Sequence, residues 1–216
     1  MRPKSLKSHS DILIVAAELF SKKGYRATTM QHIAKKLKVS KPTLYASTNS
    51  KEAILSEIIE TWVDIAEDGL QKALKTIGSP RKKLQTLVVT WSRTAVSQRA
   101  FHMVFLNDER ELPPAILAKY QRWASRAYLR IRDCIREGQS AGVFLPELDA
   151  AIMTFSLVAF INSLPKWYKA TGKLTIDQIA ERYIDLIEAG LVVDAKRPRK
   201  RQFKLADITR EVSEAN

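Results

Sequence analysis

Ser40, Lys41, Thr43 and Tyr45 lie together in the segment VSKPTLY at 39–45, and all four carry groups suited to a polyanion. Lysine and threonine side chains hydrogen-bond base edges, and a threonine methyl can touch that of thymine. Ammonium, hydroxyl and phenol groups reach phosphate oxygens. Ser40 is a good helix N-cap, and Pro42 is tolerated in a first turn, where its missing N–H costs nothing. The segment predicts a short helix over about Lys41 to Ala46, with free N–H groups and a positive dipole end that suit phosphate. Lys38-Val39 reads as a turn, and MQHIAKKL at 30–37 predicts the helix before it. Two short helices joined this way form a unit whose second helix fits a major groove about 12 Å wide.

No catalytic constellation accompanies this segment. Asp108, Glu109 and Glu111 are close in sequence, but no metal-ligand set, Ser/His/Asp order or glycine-rich phosphate loop joins them. With 3 His and 1 Cys in the chain, no metal, cofactor or enzymatic activity is expected. Cys134 alone cannot form an internal disulfide, which points to a reducing, cytoplasmic compartment. The longest nearly apolar stretch, Met153 to Leu164, is broken by Thr154, Ser156, Asn162 and Ser163. It falls short of the roughly 20 residues of a membrane span, so no membrane is expected, and the N-terminus lacks an apolar signal core.

The charge is unevenly placed. The chain has a formal net charge of +13, and residues 1–51 carry eleven Lys/Arg against Asp11 and Glu18. Such a basic excess implies a polyanionic partner. Arg2, Lys4 and Lys7 form an arm able to follow a backbone or probe a minor groove. KRPRKRQFK at 196–204 adds six more cations and no acid; a solvated tail and a nonspecific nucleic-acid contact are equally open for it.

Periodicity of 3–4 residues, with little Gly or Pro, predicts an all-α chain. A first helix runs from about Ser10 to Lys23, with Ile12, Leu13, Ala16, Ala17, Leu19 and Phe20 as its buried stripe and Gly24 as its stop. Thr28 or Thr29 caps the second helix. Ser50 caps a long fourth helix reaching about Ile77, with Glu52 favourably placed in its first turn. Five further helices are expected at about 81–97, 99–107, 114–140, 147–164 and 175–190, and a short amphipathic one is possible at 205–214.

The N-terminal region resembles the TetR family of regulators. The matching residues are AAELFSKKGY at 16–25, TTMQHIA at 28–34, VSKPTLY at 39–45 and SKEAIL at 50–55. The resemblance implies a helix-turn-helix in which Thr29, Ser40, Lys41, Thr43, Tyr45 and Lys51 lie at or near DNA. It also places Gln31 and His32 close to the backbone and makes Ile33, Ala34, Val39 and Leu44 the small core. After Tyr45 the family pattern continues with an aromatic or His and then Phe; this chain has Ala46, Ser47 and Thr48.

In that family the remaining residues supply dimerisation and a ligand cavity. The helices at 147–164 and 175–190 are the expected dimer elements, with apolar surface from Phe155, Leu157, Val158, Ile161, Ile179, Tyr183, Leu186, Ile187 and Leu191; burial within the protomer is equally open for any one of them. NDERELP at 107–113 and Asn162-x4-Trp167-Tyr168-x3-Gly172-x-Leu174-Thr175 are similar to TetR-type repressors of lipid or sterol catabolism that answer acyl-CoA thioesters. In those repressors Trp-Tyr is followed by Arg-Pro, where this chain has Lys169-Ala170. The implied ligand residues are Trp91, Phe105, Arg110, Trp123, Asn162, Trp167 and Tyr168. Phe101 and Phe160 could join the aromatic lining, and Arg122, Arg126, Lys166 and Lys169 could meet phosphates. The alternative, core aromatics and surface charges, stays open.

The expected architecture is an N-terminal three-helix helix-turn-helix domain joined by a long helix to a larger helical ligand-binding and dimerisation domain. The expected bounds are 1–55 for the DNA-binding domain with its basic arm, 56–195 for the helical domain and 196–216 for the basic tail. The expected function is a homodimeric repressor on a palindromic double-stranded operator, released by a small-molecule effector, with an acyl-CoA as the candidate. The rival is a ligand-independent nucleoid or DNA-coating factor.

Overall fold

The computed structural model describes residues 8–191. Residues 1–7 and the stretch after 191, including the 196–204 run and the helix expected at 205–214, lie outside the described residues. The elements are α1 (His9–Lys23), α2 (Met30–Leu37), α3 (Lys41–Tyr45), α4 (Lys51–Leu74), α5 (Pro80–Ser97), α6 (Arg99–Asp108), a 3-10 turn (Glu109–Glu111), α7 (Pro114–Ser140), α8 (Ala150–Trp167) and α9 (Ile176–Leu191). The fold is all-α, as the periodicity implies.

Local chemistry sets most helix ends. Gly24 ends α1 at φ 83, where a side chain would be strained, and its N–H donates to the Phe20 carbonyl. Thr29 caps α2 reciprocally with His32, Ser40 caps α3 and Ser50 caps α4, each by a hydroxyl accepting a backbone N–H. Two ends differ from expectation. α4 stops at Leu74, leaving Ile77 99% exposed, because Ser79 caps α5 and places Pro80 in its first turn. α8 begins at Ala150 under the Asp149 cap and continues through Pro165 to Trp167; a proline in the last turn removes one ladder bond without ending the helix at once.

Two hydrophobic cores meet along α4. The first joins Ile12, Ala16 and Phe20 of α1, Ile33 of α2 and Leu44 of α3 to Ile54, Leu55, Ile58 and Ile59 of α4, and to Phe101, Val104 and Phe105 of α6. The second joins Leu70 and Ala73 of α4 to α5, the C-terminal half of α7, α8 and α9. Each fully buried Leu, Ile or Phe contributes about 1.5–3 kcal/mol. The helix-turn-helix therefore shares its core with α4 and α6. Arg26 Nε, in the α1–α2 loop, donates to Glu111 Oε1 at 2.9 Å and adds a polar tie between head and body.

Candidate nucleic-acid interface and ligand pocket

The head presents a basic surface. Between Glu18 and Glu52 the chain has no acid, and Lys35, Lys36, Lys38 and Lys41 are all exposed. In α3, Leu44 is fully buried, which anchors the helix and turns the opposite face to solvent. Lys41 and Pro42 are exposed there, and Tyr45 is 44% exposed. The Lys41 ammonium lies 5.7 Å from the Tyr45 ring centroid, so the two share one patch.

The other residues expected at DNA are tied to their own chain. Thr29 Oγ1 accepts from His32 N–H at 3.2 Å. Ser40 Oγ accepts from Thr43 N–H and lies 2.7 Å from Thr43 Oγ1. A hydroxyl that accepts in a cap still has a proton to donate, so Thr29 remains usable toward phosphate, and the Ser40–Thr43 pair, which spends one proton on its own hydrogen bond, keeps the other. Lys51 is more committed. Its Nζ donates to the carbonyls of Tyr25 and Thr28, both at 2.9 Å, and sits 4.1 Å from the Tyr25 ring centroid. It clamps the α1–α2 turn onto the start of α4. At the departure from the family pattern, Thr48 is only 6% exposed, and its hydroxyl has no partner among the described residues.

Below the head, residues of five helices line a partly open pocket, with about 620 Å³ of atom-free space counting the solvent at its mouth. Its rings are Trp62 of α4, Trp91 of α5, His102 and Phe105 of α6, and Tyr120, Trp123 and Tyr128 of α7, with Asn162 of α8 closing one side. Three of the rings spend their polar hydrogens on the chain itself. Trp91 Nε1 donates to the Ala66 carbonyl at 3.0 Å, Trp123 Nε1 to Glu67 Oε2 at 3.0 Å and the Tyr128 hydroxyl to the Ala151 carbonyl at 2.8 Å. No described lining residue is an acid, a lysine or an arginine. His102 is 1% exposed, stacks on Trp62 with centroids 4.1 Å apart and donates from Nε2 to Asn162 Oδ1 at 3.1 Å. Burial pushes its pKa down to about 4, against the pull of the Asn162 hydrogen bond, so the ring is neutral near pH 7. The Thr94 hydroxyl and the Asn162 amide are left as polar groups for a guest.

Beside the pocket, α4 and α7 frame a crevice with about 620 Å³ of atom-free space, lined by Glu60, Asp64 and Glu67 on one side and Lys119, Tyr120, Trp123 and Arg126 on the other. Lys119 pairs with Glu60 at 2.7 Å. Glu67 Oε1 accepts from Arg130 at 2.7 Å and from Gln71 at 2.9 Å. Burial raises the Glu67 pKa, but the hydrogen bonds from Arg130, Gln71 and Trp123 outweigh it and leave the carboxyl below its usual range.

Of the expected ligand residues, the structure brings Trp91, Phe105, Trp123 and Asn162 together around the pocket. It does not bring Arg110, Trp167 or Tyr168 there. Arg110 is exposed on the 3-10 turn. Trp167 is 49% exposed, with its indole N–H on Ser163 Oγ, and Tyr168 packs against the second core. Phe101 lies in the first core, and Phe160 stacks on Tyr183 at 5.5 Å. Arg122, Lys166 and Lys169 are exposed, while Arg126 lies in the crevice. Sequence reasoning missed Trp62, His102, Tyr120 and Tyr128, whose spacing is that of ordinary core positions. Among the expected dimer residues, Leu157, Ile161, Ile179 and Ile187 are buried within the protomer, Val158 lines the pocket and Tyr183 packs against the second core. Phe155 at 64% and Leu186 at 55% are exposed, joined by Ile152 at 64%; the side chain of Leu191 lies outside the described residues.

Comparison with known proteins covers both regions. The family model for bacterial regulatory proteins, tetR family, matches residues 12–58, and that for the tetracyclin repressor-like C-terminal domain matches residues 78–191. The HTH-type transcriptional repressor KstR2 of Mycolicibacterium smegmatis is 27% identical over 185 residues, covering 84% of this chain and 89% of that one. The solved structure of the ketosteroid transcriptional regulator KstR2 of Mycobacterium tuberculosis superposes with a TM-score of 0.83 at 21% identity, over 89% of this chain and 100% of that one. AibR in complex with isovaleryl coenzyme A and operator DNA superposes with a TM-score of 0.74 at 22% identity, over 82% and 96% of the two chains.

Proposed function

The chain belongs to the tetR family of bacterial regulatory proteins, and from that premise we propose that it is a homodimeric transcriptional repressor released from a near-palindromic operator by a small molecule held in the aromatic pocket. The observation that carries this reading is the path of α4. Its Trp62 and Ala66 line the pocket, its Ile54 to Ile59 build the core of the head, and its Lys51 clamps the α1–α2 turn. A guest that favours one position of α4 over another thereby favours one position of α3. Its leverage is its differential affinity for the two forms, with about 1.4 kcal/mol giving tenfold.

At DNA, Lys41 and Tyr45 are the principal contacts in this reading, with Thr29 and one hydroxyl of the hydrogen-bonded Ser40–Thr43 pair donating to phosphate. Two heads related by a twofold axis would read a palindrome with half-sites one or more turns apart. Ile152 and Phe155 on α8 and Leu186 on α9 supply the apolar face for the partner copy. The effector is an acyl-CoA in this reading, a choice supported by the similarity to KstR2 and by the isovaleryl coenzyme A bound to the fold neighbour AibR. The uncharged pocket suits the acyl part alone, so the phosphates would remain outside it.

Gel-shift and footprinting experiments test the proposal. Lys41→Ala combined with Tyr45→Ala should abolish the operator shift while size-exclusion chromatography still shows a dimer. An unchanged shift refutes the contact assignment. A footprint confined to one or two palindromes supports repression, whereas broad, salt-sensitive coating supports the nucleoid reading instead. Failure of every acyl-CoA to release the wild-type protein refutes the ligand class.

A further inference from the structure

Building on the reading that the aromatic pocket holds the effector, the structure also points to a way in and to a residue that registers entry. Tyr120 and Trp123 line both the pocket and the α4–α7 crevice, so side-chain rings, rather than backbone, stand between the two spaces. Trp123 is partly buried and packs against both hydrophobic cores. The two tryptophans fastened to α4 are held differently. Trp91 donates to a backbone carbonyl of that helix, an anchor that moves only if the helix moves. Trp123 donates to the Glu67 side chain, which has rotamers of its own and two other donors, Arg130 and Gln71, to retain it.

We propose that pocket and crevice are two halves of one ligand site, with Trp123 as the gate between them and Glu67 as its latch. Behind the gate the site takes an uncharged, largely apolar moiety, and its rings favour a guest that is itself cyclic or unsaturated. A charged group is excluded there because no described lining residue offers a counter-charge, and an unpaired buried charge is costly. The uncharged polar part of the guest stays in the crevice, where Lys119 and Arg126 face Glu60, Asp64 and Glu67; three acids against two cations leave phosphates beyond it. Swinging the Trp123 ring aside breaks its bond to Glu67 and leaves Arg130 as the α7 side chain on that carboxylate. Since Glu67 belongs to α4, occupancy of the site and the seating of α4 on α7 are linked through this one residue.

The test uses the full chain and two dyes sharing a ring system: uncharged N-phenyl-1-naphthylamine and 1-anilinonaphthalene-8-sulfonate, which carries a sulfonate. The wild-type protein should bind the neutral dye at least tenfold more tightly. Trp123→Phe keeps a ring in the wall but removes the N–H, and should raise the stopped-flow association rate of the neutral dye at least threefold. Ala124→Leu, which fills the pocket from α7, should weaken the neutral dye at least tenfold without speeding its entry. Circular dichroism establishes that the variants fold; should Trp123→Phe not fold, Glu67→Ala, which frees the Trp123 N–H from the other side, should raise the entry rate at least threefold instead, and an unchanged rate there overturns the gate. Equal affinity for the two dyes, no binding of the neutral dye, or an unchanged entry rate in Trp123→Phe overturns the proposal. Operator binding, measured in parallel, keeps the two readings apart. A gated neutral dye together with no ligand effect on operator affinity supports the site and refutes ligand-controlled repression. An ungated dye refutes the gate whatever the operator assay shows.

Discussion

Replacing Lys51 with methionine separates two roles that its sequence position leaves mixed. The family resemblance puts this lysine at DNA, while the structure spends two of its three ammonium protons on the carbonyls of Tyr25 and Thr28 and rests the charge on the Tyr25 ring. A hydrogen bond from a charged donor contributes about 1.5–3 kcal/mol, and a cation on an aromatic face about 0.5–1 kcal/mol at an exposed site. The gross loss in Lys51→Met is then at least about 3.5 kcal/mol. Two effects reduce it: the turn is only half-buried, so water replaces part of the lost bonding, and the unheld methionine of the folded variant escapes up to about 2 kcal/mol of the rotamer entropy that ordering Lys51 costs the wild type. The net expectation is a loss of about 2 kcal/mol, read as a lower urea midpoint at unchanged slope. Operator affinity should fall with it, because the turn positions Thr29 at the head of α2. The salt dependence distinguishes the roles. Losing a phosphate contact lowers the slope of log K against log salt by about 0.9; losing a clamp leaves the slope within half of that. Unchanged stability with a slope reduced by about one unit would refute the clamp and make Lys51 a direct DNA contact.

Three further outcomes rest on the interior. His102 is neutral when buried, with a folded pKa of about 4 against an ordinary 6.5, so the unfolded chain takes up a proton first as the pH falls. The contribution of His102 to stability should be constant above pH 7 and should fall by up to about 3 kcal/mol between pH 6.5 and 4; His102→Phe should make the acid limb shallower in thermal melts, and an identical limb would disprove the assignment. Thr48→Val removes a buried hydroxyl that has no partner among the described residues and should stabilise the chain by about 1 kcal/mol in urea titration, whereas destabilisation would mean the hydroxyl is satisfied. At Gly138, an added Cβ would stand 2.1 Å from the Phe144 ring. Gly138→Ala gains about 1 kcal/mol of helix propensity but must displace a fully buried phenylalanine, and should destabilise by about 2 kcal/mol net; a rise in the melting temperature would show that Phe144 moves freely.

The N-terminal architecture is legible in the sequence because its determinants are local. Ser40 with Pro42, Thr29 with His32 and Gly24 after α1 each act within a few residues, and the apolar stripe of α1 reports its buried face through spacing alone. Met30–Leu37 is a helix in the structure with the bounds that its flanking residues imply. The uneven charge is equally a property of the chain. Tertiary structure alone decides what the long helices do with their aromatics and charges. Trp167 and Trp123 look alike in sequence, yet one is half-exposed on α8 and the other stands between the pocket and the crevice. His102 reads as one more residue of a helix until Trp62 and Asn162, 40 and 60 positions away, close over it. The place of Lys51 near DNA is implied by its position along the chain, whereas the two carbonyls of a distant turn held by its ammonium are visible only in the fold. Capping and periodicity are settled by neighbours along the chain, whereas a cavity wall, a buried histidine or a clamp depends on helices that meet only when packed.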